Sequence, residues 1–293
     1  MSSTGSRGSP IAPEGAETAD ATAHIPPATL DGWLTLHQLF RFDVPSMKHC
    51  PAPDARRAAG ELDSWNSIEI AAADGGGWSG LYACAGSGCD LMAVHFRNSF
   101  EQLVRAGREL RATEALSFGE LDAEYLSVVE LGLYGLTNSV VESADGADAW
   151  EERLREEVSR QERLPRVWER LHPVQPPGMP CVCVYPMDKR REAARNWYAL
   201  PLAERARLMM AHGAIGRKHA GRIAQVIGGS TGLGDWEWVV TLWADDPLNF
   251  KQIVAEMRYD AASAEYAEFG PFVVGERLGK GAAGQLFPAL TTR

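Results

Sequence analysis

The sequence predicts an α+β fold in which one chain carries two ferredoxin-like modules. Residues 90–133 have the pattern of a strand, a helix and a strand, with a helix start signal at Asn98-Ser99. Residues 236–275 repeat that order, and Asp245-Asp246-Pro247 supplies an N-cap followed by a proline at the first helical position. The two copies are offset by about 150 residues, which indicates an internal duplication. Repeated strand–helix–strand units are typical of two ferredoxin-like modules packed side by side.

Composition divides the chain into a tail and two modules. Residues 1–28 are rich in Ser, Gly, Ala, Pro and Thr without a hydrophobic period, and we expect a disordered tail. The first module is predicted over 29–171 and the second over 172–293. The stretch 143–171 is polar and charged with helical spacing, which favours a solvated connecting helix at the end of the first module. Four prolines in 172–180 mark the linker into the second.

Charge and cysteine content exclude several classes of function. The chain has 293 residues and a formal net charge of −10, whereas sequence-independent nucleic-acid binding requires a basic surface. No apolar run approaches the length of a membrane span, and the N-terminus lacks the pattern of a secretory signal. Five cysteines, an odd number, argue against a disulfide scaffold. We therefore expect a cytoplasmic protein without a nucleic-acid partner or a membrane span.

A basic segment stands out within this acidic chain. Residues 187–222 contain nine Lys or Arg and three Asp or Glu, a local balance of +6. This concentration indicates a binding site for a small molecule with several negative charges. The alternative is a solvated helix face with no ligand.

Two residues in or beside this segment could carry chemistry. A helix is predicted over 201–220, and its spacing places His212 on the same face as Leu208. An imidazole there is either an iron ligand or a core histidine bonded to a carbonyl. Tyr185 ends the alternating strand 181–185 and is either a packed aromatic or a redox-active phenol. Four tryptophans in this half are either core or walls for a flat macrocycle: Trp197, Trp236, Trp238 and Trp243.

Ordered motifs in the second half resemble one known superfamily. They are, in chain order, Tyr185-Pro186-Met187-Asp188-Lys189-Arg190-Arg191, Asn196-Trp197-Tyr198, His212-Gly213-x-x-Gly216-Arg217-Lys218, Gln225, Asp235-Trp236-Glu237-Trp238, Ala244-Asp245-Asp246-Pro247, Glu256-Met257-Arg258-Tyr259-Asp260 and Phe269-Gly270-Pro271-Phe272. At this spacing the sequence resembles the chlorite dismutase-like superfamily, and within it the coproheme decarboxylase branch of Gram-positive bacteria. The resemblance is dense over 170–278 and weaker over 30–134. It does not extend to the tail or to 137–166.

The resemblance implies both a fold and a reaction. Members contain two ferredoxin-like halves of the dimeric α/β-barrel type, assemble as homopentamers and bind the porphyrin in the C-terminal half. In the decarboxylase branch, hydrogen peroxide drives oxidative decarboxylation of two propionates of Fe-coproporphyrin III (coproheme), which gives heme b. The resemblance also allows a transient contact with a ferrochelatase.

The resemblance further implies roles for individual residues. His212 corresponds to the proximal iron ligand, and Tyr185 to the tyrosine that forms a radical and abstracts hydrogen from a propionate, with Lys189 assisting. Propionates would be held by Arg170, Arg217, Arg258 and Ser263, and the pocket would be lined by Met187, Trp197 and Trp236. Gln225 occupies the distal position at which chlorite dismutases carry an arginine. A neutral amide supplies no positive charge for oxyanion chemistry, so Gln225 favours decarboxylation.

Two other functions remain open from the sequence. One is a chlorite dismutase or peroxidase that uses heme b on the same fold. The other is a non-enzymatic heme-binding carrier or sensor. The order in which the propionates react is not predicted.

Overall fold

A computed structural model of the chain describes residues 24–71, 76–144 and 149–291. The predicted tail, residues 1–28, therefore lies mostly outside the described residues. At the start of the described chain, the Ile25 carbonyl accepts a hydrogen bond from Arg205 at 2.6 Å. The Ala28 amide donates to Thr137 Oγ1 at 3.0 Å. These bonds fix the entry of the chain into its first strand.

The described part of the chain contains nine strands in its main sheet and ten α-helices. The strands are β1 (Thr29–Phe42), β2 (Gly77–Ala85), β3 (Leu91–Arg97), β4 (Gly119–Gly132), β5 (Cys181–Lys189), β6 (Ile223–Gly229), β7 (Trp238–Ala244), β8 (Ala267–Phe269) and β9 (Val273–Arg277), and a short hairpin spans 191–196. The helices are α1 (Val44–His49), α2 (Ala52–Ala71), α3 (Phe100–Arg111), α4 (Tyr134–Glu142), α5 (Ala149–Glu162), α6 (Pro165–Leu171), α7 (Leu202–Lys218), α8 (Pro247–Met257), α9 (Ala261–Ala264) and α10 (Pro288–Thr291). None of the described helices is long and apolar enough to cross a membrane.

Eight antiparallel strands close into one continuous sheet. The first module has the strand order β2-β3-β1-β4, and the second has the equivalent order β6-β7-β5-β9. The two sheets join where β4 pairs with β6 and where β9 pairs with β2. The short strand β8 extends the pairing of β5 at Met187–Lys189. The predicted duplication and the α+β class of two ferredoxin-like modules are confirmed.

Local sequence signals account for the equivalent helices α3 and α8. The Ser99 side chain accepts a hydrogen bond from the amide of Gln102 at the start of α3. Asp246 caps α8 in the same way, and Pro247 occupies the first helical position. In both cases the side-chain oxygen satisfies a backbone N–H that the first helical turn leaves without a partner.

The interior of the closed sheet is an aromatic core. Trp78, Phe96 and Trp243 lie with ring centroids 5.0–6.2 Å apart. Trp243 is 1% exposed, and its indole N–H donates to the Tyr82 hydroxyl. This core ties the two modules together, because Trp243 comes from the second module and the other rings come from the first.

We expect Trp243→Ala to destabilise the protein by about 3–5 kcal/mol, because it leaves a cavity and removes a buried hydrogen-bond donor. Urea unfolding measures the loss. Trp168→Ala is the matched control, since Trp168 is 57% exposed and its loss should cost less than about 1 kcal/mol. Equal destabilisation by the two substitutions would contradict the assignment of this core.

The prediction of one solvated connecting helix over 143–171 is wrong in part. Helix α5 carries no buried residue, as expected for a solvated helix. A separate helix, α6, begins at Pro165 and buries Val167 and Leu171 against Leu30. A proline fits the first helical position but disrupts a helix interior, so the chain starts a new helix there.

The two modules differ in how their first long helix meets the sheet. In the first module α2 lies against β2, and both contribute to one apolar cluster. The equivalent helix of the second module, α7, has its main contacts with α4, α8 and α9. A space therefore remains between α7 and the outer face of the second sheet.

Candidate active site

This space is a cavity of about 430 Å³. Its floor comes from the outward-facing residues of β5, β6 and β7, and α6, α7 and α8 complete its walls. Its size is typical of a pocket that encloses a small organic ligand. Most of its lining comes from the second module, and β4, α4, α5 and α6 of the first module close one end.

Strand β5 presents three side chains to the cavity. Tyr185, Met187 and Lys189 are two residues apart, so they project from the same face of the strand. In the neighbouring strand β7, Val240 lies opposite Tyr185 and Trp238 opposite Met187. The floor therefore includes the phenol of Tyr185, the thioether of Met187 and the indole of Trp238, and the ammonium group of Lys189 lies at its end.

Tyr185 is buried against two phenylalanine rings. Its ring stacks on Phe272 at a centroid distance of 4.3 Å and meets Phe269 edge-on at 5.9 Å. Burial raises the pKa of Tyr185 well above its ordinary value, and the positive charge of Arg258 offsets only part of that rise. Tyr185 is consequently a neutral phenol at physiological pH and retains a hydrogen atom that it can transfer.

His212 of α7 reaches the cavity with its imidazole oriented by a carboxylate. Nδ1 of His212 lies 2.8 Å from Oδ2 of Asp260, whose side chain is 3% exposed. The same carboxylate accepts from the amide and the hydroxyl of Ser263 and so caps α9. An ionised carboxylate only accepts, so Nδ1 donates this hydrogen bond, and in the neutral imidazole the lone pair is then on Nε2. This arrangement is typical of a histidine prepared for metal coordination.

Lys189 lies at the end of the cavity in a largely buried position. Its ammonium group donates to the Ala262 carbonyl at 3.0 Å and lies 4.2 Å from the centroid of the Trp197 ring. Burial lowers the pKa of Lys189 to about 8, against the opposing effect of Asp260 and Glu237. Lys189 is therefore mostly positive at pH 7 and loses its charge in mildly alkaline solution.

The charges around the cavity favour an anionic ligand. Four cationic side chains line it, and a single carboxylate, Glu130, opposes them among the described lining residues: the cations are Arg166, Arg170, Lys189 and Arg258. Burial raises the pKa of Glu130 above its ordinary value. Guanidinium groups pair well with carboxylates, so this set fits a ligand with several acidic arms.

Most of the predicted site residues meet in this cavity. Those that line it are Arg170, Tyr185, Met187, Lys189, His212, Gln225, Arg258 and Ser263. Three others do not: Trp197, Arg217 and Trp236. Trp197 is fully buried beneath Lys189. Arg217 is exposed on α7, about 140° around the helix from His212.

Trp238 lies where Trp236 was expected. Trp236 precedes β7 and packs over Gly270, whose missing side chain leaves room for the ring. Trp238 is the first residue of β7 and lines the cavity, and its indole N–H lies 3.4 Å from Oε1 of Glu130. The expected strand began two residues too early, at position 236.

Sequence reasoning missed several further residues. Asp260 ends the motif that begins at Glu256, but the sequence gives it no role because its partner His212 is 48 positions away. Arg166 lies in the segment outside the resemblance, yet it lines the cavity together with Arg170 one helical turn later. Phe269 and Phe272 were quoted as a motif, and their contact with Tyr185 depends on strand pairing.

The basic segment 187–222 contributes less than its charge predicted. Of its nine cations, only Lys189 lines the cavity. Exposed members pair with acids on the outer surface, as Arg207 does with Glu204 and Lys218 with Glu256. The other cavity cations come from α6 and from the end of α8, so the solvated-face alternative holds for most of this segment.

The residues present fit an iron porphyrin. Within the described part of the chain, no three His, Cys, Asp or Glu side chains converge as a metal site. A metal ion at His212 would therefore need its other ligands from the group that carries it, as in a porphyrin. The aromatic and aliphatic walls suit a flat apolar ring, and the four cations suit its carboxylates.

Comparisons with known proteins agree with this geometry. Residues 57–278 match the family model described as chlorite dismutase. The chain is 37% identical over 89% of its length to the coproheme decarboxylase of Staphylococcus saprophyticus and covers 98% of that protein. It is also 37% identical, over 86% of its length, to a candidate heme-binding protein of Halobacterium salinarum, and spans about half of that longer chain. A solved structure of a heme-binding protein from Thermus thermophilus superposes with a TM-score of 0.76 at 36% identity, covering 90% of this chain and 99% of that one.

Proposed function

The chain belongs to the chlorite dismutase family, and we propose that it is a coproheme decarboxylase. The proposed reaction converts two propionates of Fe-coproporphyrin III to vinyl groups and gives heme b. Each conversion releases one CO₂ and one β-hydrogen, and the two electrons removed reduce one hydrogen peroxide to water. One observation carries the proposal: a single cavity joins the carboxylate-oriented His212, the buried phenol of Tyr185 and four cations. The relative from Staphylococcus saprophyticus bears the name of this activity.

The proposed residue roles rest on the resemblance and are supported by where each group lies. Nε2 of His212 would hold the iron, with Asp260 fixing the imidazole. When bound, the iron porphyrin supplies the oxidising chemistry, and the protein supplies placement. Tyr185 would give up its phenolic hydrogen atom and take one from the β-carbon of a propionate. Arg170, Arg258 and Ser263 line the same cavity and would hold carboxylates, and Lys189 would assist at the reacting arm.

Gln225 bears on the choice between reactions. It lines the cavity from β6 and is a neutral amide. Oxyanion chemistry at the iron would gain from a positive charge that this side chain does not supply. This favours decarboxylation over chlorite breakdown.

Mass spectrometry of the porphyrin after peroxide addition tests the proposal. Coproheme bound to the purified protein should lose two carboxyl groups. Unchanged coproheme would overturn the proposal and favour a carrier or sensor. Rapid oxygen release from chlorite would instead favour a chlorite dismutase that uses heme b.

The pKa of Lys189 predicts a pH dependence of porphyrin binding. Lys189 is protonated below about pH 8 and neutral above it, so its attraction for a carboxylate is lost as the pH rises. We expect metal-free coproporphyrin III to bind several-fold more weakly at pH 9 than at pH 7, measured by fluorescence. Lys189→Arg keeps its charge across this range and should remove the pH dependence.

We further propose a homopentamer and a transient contact with a ferrochelatase, on the resemblance alone. Light scattering should give a mass five times that of the 31.9-kDa chain. A monomer at micromolar concentration would reject the pentamer.

A further inference from the structure

The buried carboxylate of Glu237 lies just outside the cavity and is not one of its lining residues. Glu237 is 7% exposed, and both of its oxygens are engaged. Oε1 accepts from the Tyr198 hydroxyl at 2.7 Å, and Oε2 accepts from the backbone amide of Lys189 at 2.7 Å. Its own amide donates to Oδ1 of Asp188 at 2.7 Å. A buried carboxylate is costly unless it is bonded in this way.

The position of Glu237 connects two cavity-lining strands. It immediately precedes Trp238, the first residue of β7, and its bonds reach Asp188 and Lys189 at the end of β5. Met187 and Trp238 lie opposite each other in the register between these strands. Glu237 and Tyr198 thus hold together the part of the cavity from which Lys189 extends.

We propose that Glu237 is a positioning residue for Lys189. Its carboxylate fixes the main chain at Lys189 and places a negative charge near the Lys189 ammonium group, with Tyr198 holding the carboxylate in place. This inference rests on the part that Lys189 takes in the proposed function. The residue that touches the ligand remains Lys189, and Glu237 acts through it.

The groups around Lys189 show which charges stabilise its ammonium form. Its ammonium group meets the Ala262 carbonyl and the Trp197 ring, and the carboxylates that favour its charged form are Asp260 and Glu237. Two exposed or partly exposed cations follow in sequence. Arg191 lies 3.7 Å from Glu237, and Arg190 donates to the Ala267 carbonyl. Removing the charge of Glu237 therefore leaves Asp260 as the one carboxylate that supports the Lys189 charge among the described residues.

The test measures the Lys189 amine in the ligand-free protein. The chain has five lysines, and the four others, Lys48, Lys218, Lys251 and Lys280, are exposed. Competitive acetylation followed by mass spectrometry over pH 6–11 gives the pKa of each amine, with those four as internal references. In Glu237→Gln we expect the Lys189 pKa to fall by about 1 pH unit. An unchanged pKa in the folded variant would overturn the proposal.

Two further variants separate charge from structure. Glu268→Gln removes an exposed carboxylate from β8, beside the same end of β5, and should leave the Lys189 pKa unchanged. Tyr198→Phe keeps the Glu237 charge but removes its hydroxyl partner. It should leave the pKa in place and speed amide hydrogen exchange of a peptide containing Lys189. If Glu237→Gln fails to fold, unchanged amide exchange in Tyr198→Phe would reject the positioning role of Glu237.

The outcome is independent of whether coproheme is converted. If Lys189 responds to Glu237→Gln but the protein leaves coproheme intact, the proposed function fails and the positioning role stands. If coproheme is converted and Lys189 does not respond, only the positioning role fails. With bound substrate, Glu237→Gln should shift the alkaline limb of the pH–rate profile to lower pH, in step with the Lys189 pKa.

Discussion

Tyr185→Phe should bind coproheme with near-normal affinity and fail to convert it when peroxide is added. The substitution keeps the ring that stacks on Phe272 and Phe269, so the cavity wall stays intact. It removes only the phenolic oxygen and with it the hydrogen atom that the proposed mechanism requires. We expect the rate of decarboxylation to fall by at least about 100-fold. A misplacement of a reacting group by about 1 Å can already cost about 100-fold, and this substitution removes the group entirely. Mass spectrometry of the porphyrin measures the loss.

A second tyrosine provides the control for this result. Tyr125 lies half-buried on β4 and is not among the residues that line the cavity. Tyr125→Phe removes the same hydroxyl group and should turn over normally. Normal conversion by Tyr185→Phe would show that another group carries the hydrogen transfer. Loss of coproheme binding by that variant would mean that the hydroxyl acts in binding.

Local signals explain which parts of this site the sequence predicts. The alternating pattern predicts a strand over 181–185 that carries Tyr185, and the strand in the structure continues to Lys189, which brings Met187 and Lys189 to the same face as Tyr185. Helical spacing likewise places Met209 and His212 on one face of α7, and both line the cavity. Such periodicities depend only on backbone geometry, so they can be recognised in the sequence without knowledge of the tertiary structure.

Features set by distant contacts are not predictable in this way. The closure of the sheet depends on pairing between β9 and β2, nearly two hundred residues apart along the chain. Two of the four cavity cations, Arg166 and Arg170, lie on α6, which packs beside a module that begins after it in the chain. The exchange of Trp236 for Trp238 depends on where β7 starts, and alternation alone leaves that start undetermined.

The second large effect concerns His212, the proposed iron ligand. His212→Ala should remove the extra affinity for Fe-coproporphyrin III over metal-free coproporphyrin III and leave binding of the metal-free ring almost unchanged. The reason is that in the proposed site the apolar walls and the four cations would act on the ring and its carboxylates, whereas Nε2 of His212 would act only on the metal. Parallel titrations of both porphyrins, followed by absorbance and fluorescence, measure the difference. Equal losses for both would indicate a collapsed cavity.

Asp260→Asn tests the same assignment from the other side of the imidazole. An amide in place of the carboxylate can donate toward Nδ1 and so favour the tautomer whose Nε2 carries a proton and cannot bind metal. Substitution of such a partner typically costs about 10- to 100-fold in metal affinity or activity. His219→Ala is the matched control, because His219 ends the same helix and bonds a different carboxylate, Glu256, away from the cavity. If His219→Ala weakened Fe-coproporphyrin III binding as much as Asp260→Asn, the weaker binding would result from a less stable helix. The proposed effect of the Asp260 carboxylate on metal binding by His212 would then be rejected.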